Sequence, residues 1–301
     1  MRTRFIQTLC KLAEKDPKIF LVCGDLGYSV LEVFAQKFPD RYLNAGVAEQ
    51  NMMGIAAGLA ADGYTPFVYS IANFPTLRCL EQVRDDVIYH GANVKIVAVG
   101  GGVAYGSLGY THHGIEDLGI LRTLPEIRIL APGDPIEAEL ATEWVAQTQG
   151  PCYLRIGKAG EPKVHAVDDA VKKQWGKILP VIEASKTTAV LTTGGVLEVA
   201  SREVKELGYS LYSVPFIRPF DRKGLLAIAK KYSTIVTFEE HQRVGGLGSL
   251  VLEELNELYR EGQIHQWPKV QAIAIEQTMY SRAGTQDFIR GELGLTLKGK
   301  H

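Results

Sequence analysis

Three segments of this chain carry side chains able to do acid–base or binding chemistry. In Asn44-Ala-Gly-Val-Ala-Glu49-Gln50 a glutamate stands just before Asn51-Met-Met-Gly54-Ile-Ala-Ala-Gly58-Leu-Ala-Ala, a stretch almost without charge. The spacing puts Glu49 in the first turn of an apolar, apparently buried helix. A carboxylate there either complements the helix dipole, worth a few tenths of a kcal/mol to about one, or has its charged form disfavoured by desolvation and suits proton transfer near neutral pH. Gly54 and Gly58 leave one side of this helix flat for another backbone, more often inside a core than at a site. A second segment, 65–87, sets Phe74 and Arg78 at a strand-to-helix turn. An aromatic there is either ordinary core or a platform for a flat heteroaromatic ring. The third, 100–117, places His112 and His113 among six glycines. Such a loop lets backbone approach a ligand, and its histidines titrate near neutrality. No matching His, Cys and carboxylate set accompanies them, which argues against a metal site.

The elements that must position these groups are short apolar runs at 19–23, 65–71, 94–99, 127–131 and 152–156, then at 188–193, 210–214, 234–238 and 270–275. Between them lie helical patterns at 77–89, 135–146, 196–207, 222–231 and 249–261. Uninterrupted apolar runs are strands buried on both faces, and their alternation with helices implies parallel sheets covered on both sides. The expected fold class is therefore α/β: two open, mostly parallel, doubly wound sheets, with about five strands in the first and about four in the second. A stretch rich in Gly, Pro, Asp and Lys at 161–186 reads as a linker between domains at 1–160 and 187–301. Ligands of such sheets collect at the carboxyl ends of the strands, where all three segments fall.

Composition narrows the classes. Over 301 residues, 33 Lys+Arg against 34 Asp+Glu leave a formal charge of −1, so no general basic field draws the chain to nucleic acid or acidic lipid. Hydrophobic residues at 46% and charged residues at 22% exclude a wholly disordered chain. Four dispersed cysteines without a CxxC pair fit reduced thiols, hence a cytoplasmic location. The first residues lack the apolar core of a secretion signal, and no uncharged stretch is long enough to span a bilayer. The chain is expected to be soluble, and its last residues to fray.

Taken together, these segments resemble the transketolase family and its relative deoxyxylulose-phosphate synthase, which are thiamine diphosphate enzymes. The match is to their C-terminal half, a pyrimidine-binding domain followed by a smaller C-terminal domain. It runs from Gly24-Asp25-Leu26 through Gly46-Val-Ala-Glu49-Gln50 and Thr111-His112-His113-Gly114 to Phe238-Glu239-Glu240-His241 and Gly245-Gly246-Leu-Gly248, essentially the whole chain. The resemblance implies that Glu49 is the cofactor-activating glutamate, whose proton on N1′ of the aminopyrimidine lets the opposite amine take the proton from thiazolium C2. Phe74 is similar to the aromatic stacked on the pyrimidine, and Arg78 to the active-site arginine of the synthase. His112 matches the histidine that lies over the cofactor and steadies oxyanion charge or moves protons. Asp25 falls where the family places a carboxylate near the thiazolium. Arg155 matches an arginine that holds the substrate phosphate, with His112 and His113 completing the substrate side.

Two departures shape what the resemblance implies. Leu108 stands where the family carries an aspartate that reads sugar hydroxyls. The Gly-Asp-Gly with a downstream Asn that holds diphosphate and Mg²⁺ is missing, since Gly24-Asp25-Leu26 is not it and Asp62-Gly63 lacks the leading glycine. The implied protein is the C-terminal subunit of a split transketolase, transferring a two-carbon ketol unit between sugars or sugar phosphates. An N-terminal subunit would supply the metal and diphosphate ligands in an α2β2 heterotetramer. The chain alone could form a homodimer through the helix at 51–61. Three alternatives stay open: a subunit decarboxylating 2-oxoacids like deoxyxylulose-phosphate synthase, a 2-oxoacid dehydrogenase β subunit, and a non-catalytic binding subunit. The leading reading requires the Glu49 carboxylate to face a cleft and not to be locked in an inward ion pair.

Overall fold

A computed structural model describes residues 1–165 and 168–299. Six strands come from the first half of the chain: β1 (Ile19–Cys23), β2 (Tyr42–Asn44), β3 (Thr65–Ile71), β4 (Lys95–Val99), β5 (Arg128–Leu130) and β6 (Cys152–Ile156). The second half supplies β7 (Leu179–Ile182), β8 (Thr188–Thr192), β9 (Ser210–Ser213), β10 (Phe216–Arg218), β11 (Thr234–Gln242) and β12 (Lys269–Ile275). They form a seven-stranded sheet in the order β10-β5-β6-β4-β3-β1-β2 and a five-stranded sheet in the order β12-β11-β8-β9-β7. All neighbours are parallel except β10 on β5 and β7 on β9, which are antiparallel edge strands.

Burial follows the strand period. Val68 of β3 packs in one apolar layer with Met52, Met53 and Ala56, while Phe67 and Tyr69 pack in the other with Phe5 and Leu9. Successive side chains of a strand point to opposite faces, so a strand covered on both sides must be apolar throughout. The layer holding Val68 continues to Leu225, Ile235 and Leu250 of the second half, so the two domains share a core.

Three expectations need correction. The stretch 161–186 is not a plain linker: it carries a helix at Asp168–Lys173 and β7, an integral edge of the second sheet. The first sheet has seven strands and not five because two three-residue strands, each too short to register as a run, add to it: β2 pairs with β1 at one edge, and β10 returns from the second domain to pair with β5 at the other. The pattern at 77–89 is broken into a 3-10 turn (Leu77–Cys79), one α turn (Leu80–Gln82) and a π turn (Val83–Tyr89).

Candidate active site

Glu49 begins the helix Glu49–Ala61 as the spacing requires, and its side chain is buried. The chain approaches it through Gly24 at the end of β1. A Cβ added at Gly24 would lie 3.6 Å from Glu49 Cγ and 3.5 Å from the Gly46 carbonyl, ordinary van der Waals contact, so the end of β1 packs directly against the glutamate without requiring a glycine. Met52, Met53 and Ala56 hold the helix against the sheet, but a Cβ at Gly54 or Gly58 would meet nothing within 4 Å. The flat side of the helix is therefore open and not core.

The loop after β3 starts with a turn in which Phe74 N–H donates to the Ile71 carbonyl at 2.7 Å. Asn73 Nδ2 then donates to the Thr111 carbonyl at 2.5 Å, tying this loop to the histidine loop. The histidine loop is closed at its base by a reciprocal pair, Gly102 N–H to Gly114 O at 2.7 Å and Gly114 N–H to Gly102 O at 2.9 Å. Gly102 has φ +71, and a Cβ there would collide with Glu240, which explains that glycine. The two loops enclose a cleft of about 420 Å³ lined by Asn73, Phe74, Leu77, Arg78, Tyr110, Thr111, His112, His113 and Glu116.

On this cleft Arg78 makes two contacts at once. Its guanidinium lies 4.4 Å from the centroid of the Phe74 ring, and its Nη1 donates to Glu49 Oε2 at 2.7 Å. The Glu49 side chain is 1% exposed and the Arg78 side chain 45%. The carboxylate is thus paired, but its partner is a rim residue of the cleft, reached by solvent. Phe74 and His112 meet edge to face at 5.3 Å. His112 Nδ1 shares a hydrogen bond with Thr111 Oγ1 at 2.9 Å, and burial, then the nearby Arg78 charge, lower its pKa. His113 is buried with neither ring nitrogen hydrogen-bonded, and burial lowers its pKa as well. Both rings therefore favour the neutral form, able to accept a proton. Glu116, Tyr110 and Asn73 also line the cleft, residues that type and spacing alone do not single out. Tyr110 OH donates to Glu116 Oε1 at 3.0 Å, and burial raises the Glu116 pKa.

Asp25 is placed beside this centre and does not line the cleft. It is exposed, with φ +55, and its Oδ1 accepts from Asn44 Nδ2 at 3.0 Å and from Tyr28 OH at 3.1 Å. Arg155 is a correction. It is 3% exposed, with Nε on Asp117 Oδ2 at 2.9 Å and Nη2 on the carbonyls of Gly114 at 2.5 Å and Glu240 at 2.9 Å. Its Nε and Nη2 are spent inside the protein, where they clamp the histidine loop to β11, and the side chain is buried, so it does not face a substrate phosphate. Spacing alone could not separate the two roles, because an arginine at a strand end reads the same whichever way it points.

The Glu239-Glu240-His241 run is internal too. Glu239 accepts from Leu247 N–H at 2.6 Å and Gly248 N–H at 2.8 Å, and its complete burial still pushes its carboxyl up to about 7. Glu240 pairs with Arg290. His241 accepts from Gly119 N–H at Nε2, 3.1 Å, and donates from Nδ1 to the Gln242 carbonyl at 2.8 Å. His241 and the Glu240 carbonyl fasten the second domain behind the histidine loop, while the two carboxylates bond within the second domain.

Comparison with known proteins meets the same two units. The family model of the transketolase pyrimidine-binding domain matches residues 1–161, and that of the transketolase C-terminal domain matches 176–284. The chain is 37% identical over 261 residues to an apulose-4-phosphate transketolase subunit of Phocaeicola vulgatus, covering 85% of this chain and 83% of that one. It is 31% identical to a 6-deoxy-6-sulfo-D-fructose transketolase subunit of a Clostridium species, covering 99% and 91%. The solved inactive β4 tetramer of a split-gene transketolase superposes with a TM-score of 0.83 at 31% identity, over 98% of this chain and 93% of that one.

Proposed function

The chain belongs to the transketolase family, as a C-terminal subunit of the split type and hence part of a transferase that works with a partner chain, and from this premise we propose that it contributes the pyrimidine side of a thiamine diphosphate site. The reaction we assign is transfer of a two-carbon ketol unit between sugar or sugar-phosphate substrates. The observation that carries the reading is the convergence, on one cleft, of the Phe74 ring, His112 and the Arg78 side chain behind which Glu49 is buried.

The residues fit a flat heteroaromatic ring. Phe74 has a face that the planar Arg78 guanidinium already covers, and planar groups of either kind stack there. When bound, thiamine diphosphate supplies an electron sink for the substrate carbonyl carbon. Toward it, Phe74 stacks and Glu49 holds a proton at the ring nitrogen. For that Arg78 must leave Glu49, and its half-exposed side chain has room to swing into solvent. His112, neutral and on the same cleft, accepts or returns a substrate proton or donates to developing oxyanion charge. His113 contributes an unpaired ring edge to the substrate side, and Asp25, beside the cleft and not lining it, is assigned the carboxylate on the cofactor side.

The diphosphate and Mg²⁺ are assigned to the N-terminal subunit in an α2β2 assembly; among the described residues no three His, Cys, Asp or Glu side chains gather around a common point. The open Gly54 and Gly58 side of the helix and the exposed Val47 and Tyr28 provide apolar surface beside Glu49 for that partner, or for a second copy of this chain in its absence. No helix among the described residues is long and apolar enough to cross a membrane, and a cytoplasmic location is proposed.

The test is to combine this chain with its N-terminal partner, thiamine diphosphate and Mg²⁺, and to assay ketol transfer for the wild type and Glu49→Ala. Loss of turnover in the variant is expected, and full activity would remove the mechanism. Release of CO₂ from pyruvate in place of ketol transfer would move the assignment to the synthase-like alternative.

A further inference from the structure

A cavity larger than the candidate cleft lies on the far side of the second domain. It encloses about 540 Å³ at the amino-terminal ends of β8, β11 and β12. The histidine loop and the helix after it reach the second domain at the opposite, carboxyl end of β11, at Glu240 and His241, so this cavity is separate from the site described above. The loop between Tyr232 and Thr234 is pinned at its base, with Lys269 N–H donating to the Ser233 carbonyl at 2.8 Å and Ser233 Oγ donating to the Thr187 carbonyl at 3.3 Å.

The lining divides by chemistry. The floor is apolar, formed by the buried Ile264, Pro268 and Tyr232. One wall is Trp267, 39% exposed, set against Tyr259 with ring centroids 6.3 Å apart. The rim is cationic: Lys186, Lys230 and Lys231, with His265 beside them. Among the described residues no carboxylate lines the cavity. Lys231 already pairs with Glu183 at 3.1 Å, whereas Lys186 and Lys230 make no ion pair among the described residues. With Lys231 compensated by Glu183, Lys186 and Lys230 are the two cations left above the apolar floor, and they make a local positive field there.

An apolar floor and an indole wall favour a flat ring, and ammonium groups at the rim favour an anion tethered to it. The volume lies within the range of small-molecule sites, roughly 300–1,000 Å³. We propose that this cavity binds a nucleoside phosphate or an equally built phosphorylated heteroaromatic, its ring against Trp267 and its phosphate between Lys186 and Lys230. Both parts are required: phosphate alone has only solvated lysines to hold it, and the ring alone leaves the cations idle.

The experiment is calorimetric titration of the isolated chain with adenosine 5′-monophosphate, adenosine, and inorganic phosphate, with tryptophan fluorescence as a second readout. The expected result is binding of the nucleotide at least about tenfold tighter than of adenosine or phosphate, a difference that about 1.4 kcal/mol would account for. A Lys186→Ala/Lys230→Ala variant should weaken nucleotide binding about tenfold or more, and Trp267→Leu should remove the fluorescence change. Phe74→Ala, which alters only the other cleft, should leave nucleotide affinity unchanged. The proposal is overturned if the nucleotide binds no tighter than phosphate, if the folded double-lysine variant keeps wild-type affinity, or if Phe74→Ala abolishes binding. Circular dichroism of each variant establishes that it is folded.

Discussion

Replacing Arg78 by methionine keeps much of the aliphatic contact with Phe74 and removes the charge that faces Glu49. Glu49 is 1% exposed and Arg78 45%, so the pair sits between two regimes. Removing one partner of a fully buried pair costs about 3–5 kcal/mol, and an exposed pair is worth about 0–1 kcal/mol. Solvent that reaches Arg78 also reaches the oxygen it leaves, which places the loss at ~1–2 kcal/mol. For a chain of this size that lowers Tm by roughly 2–3 °C. Glu49→Gln removes the charge from the other side, and the double variant should recover about 1–2 kcal/mol relative to the sum of the single losses. Urea unfolding of the four proteins as isolated chains measures this coupling. In the reconstituted enzyme, added thiamine diphosphate should narrow the Tm gap between wild type and Arg78→Met, because the ring takes over the space that Arg78 vacates. Glu49→Gln should lose about 10²–10⁴-fold in ketol-transfer rate, the range of general acid–base catalysis. A coupling below about 0.5 kcal/mol, within the scatter of independent sites, would refute the pairing. A Tm gap that cofactor leaves unchanged would refute the idea that Arg78 steps aside.

Two further expectations follow from buried charge. Arg155→Met leaves the buried Asp117 without its counter-charge, keeping the hydrogen bond from Tyr153 OH, and should cost about 3–5 kcal/mol in unfolding experiments; a variant of wild-type stability with only a raised KM for phosphorylated substrate would restore the substrate role. Glu239, raised to about 7 by burial, holds its proton in the folded chain over a range where the unfolded chain has lost it. Stability should therefore fall as pH rises from about 4.5 to about 7, by on the order of 3 kcal/mol. Glu239→Gln should flatten that slope in urea titrations at stepped pH, and an unaltered slope would show that another group causes it.

Most strands and the principal helices were legible because burial on both faces writes an uninterrupted apolar run, and Arg222–Lys231 matches its pattern end to end. β2, β7 and β10 were not, since a short edge strand buries too little to leave a run and is defined by the chain it pairs with. Local sequence also placed Glu49 in the first helical turn, because an apolar segment preceded by polar residues and a glycine determines where a helix starts. It placed Phe74, Arg78, His112 and His113 on loops after strands, because those loops are read from chain order. Which way each side chain points is a matter of contacts between residues far apart in the chain. Only the tertiary structure turned Arg155 inward onto Asp117, set Arg78 between Phe74 and Glu49, and left the glycine side of the helix open. A charged group settles wherever its counter-charge and hydrogen-bond partners lie, and those partners are 38 residues away for Arg155 and 29 for Arg78.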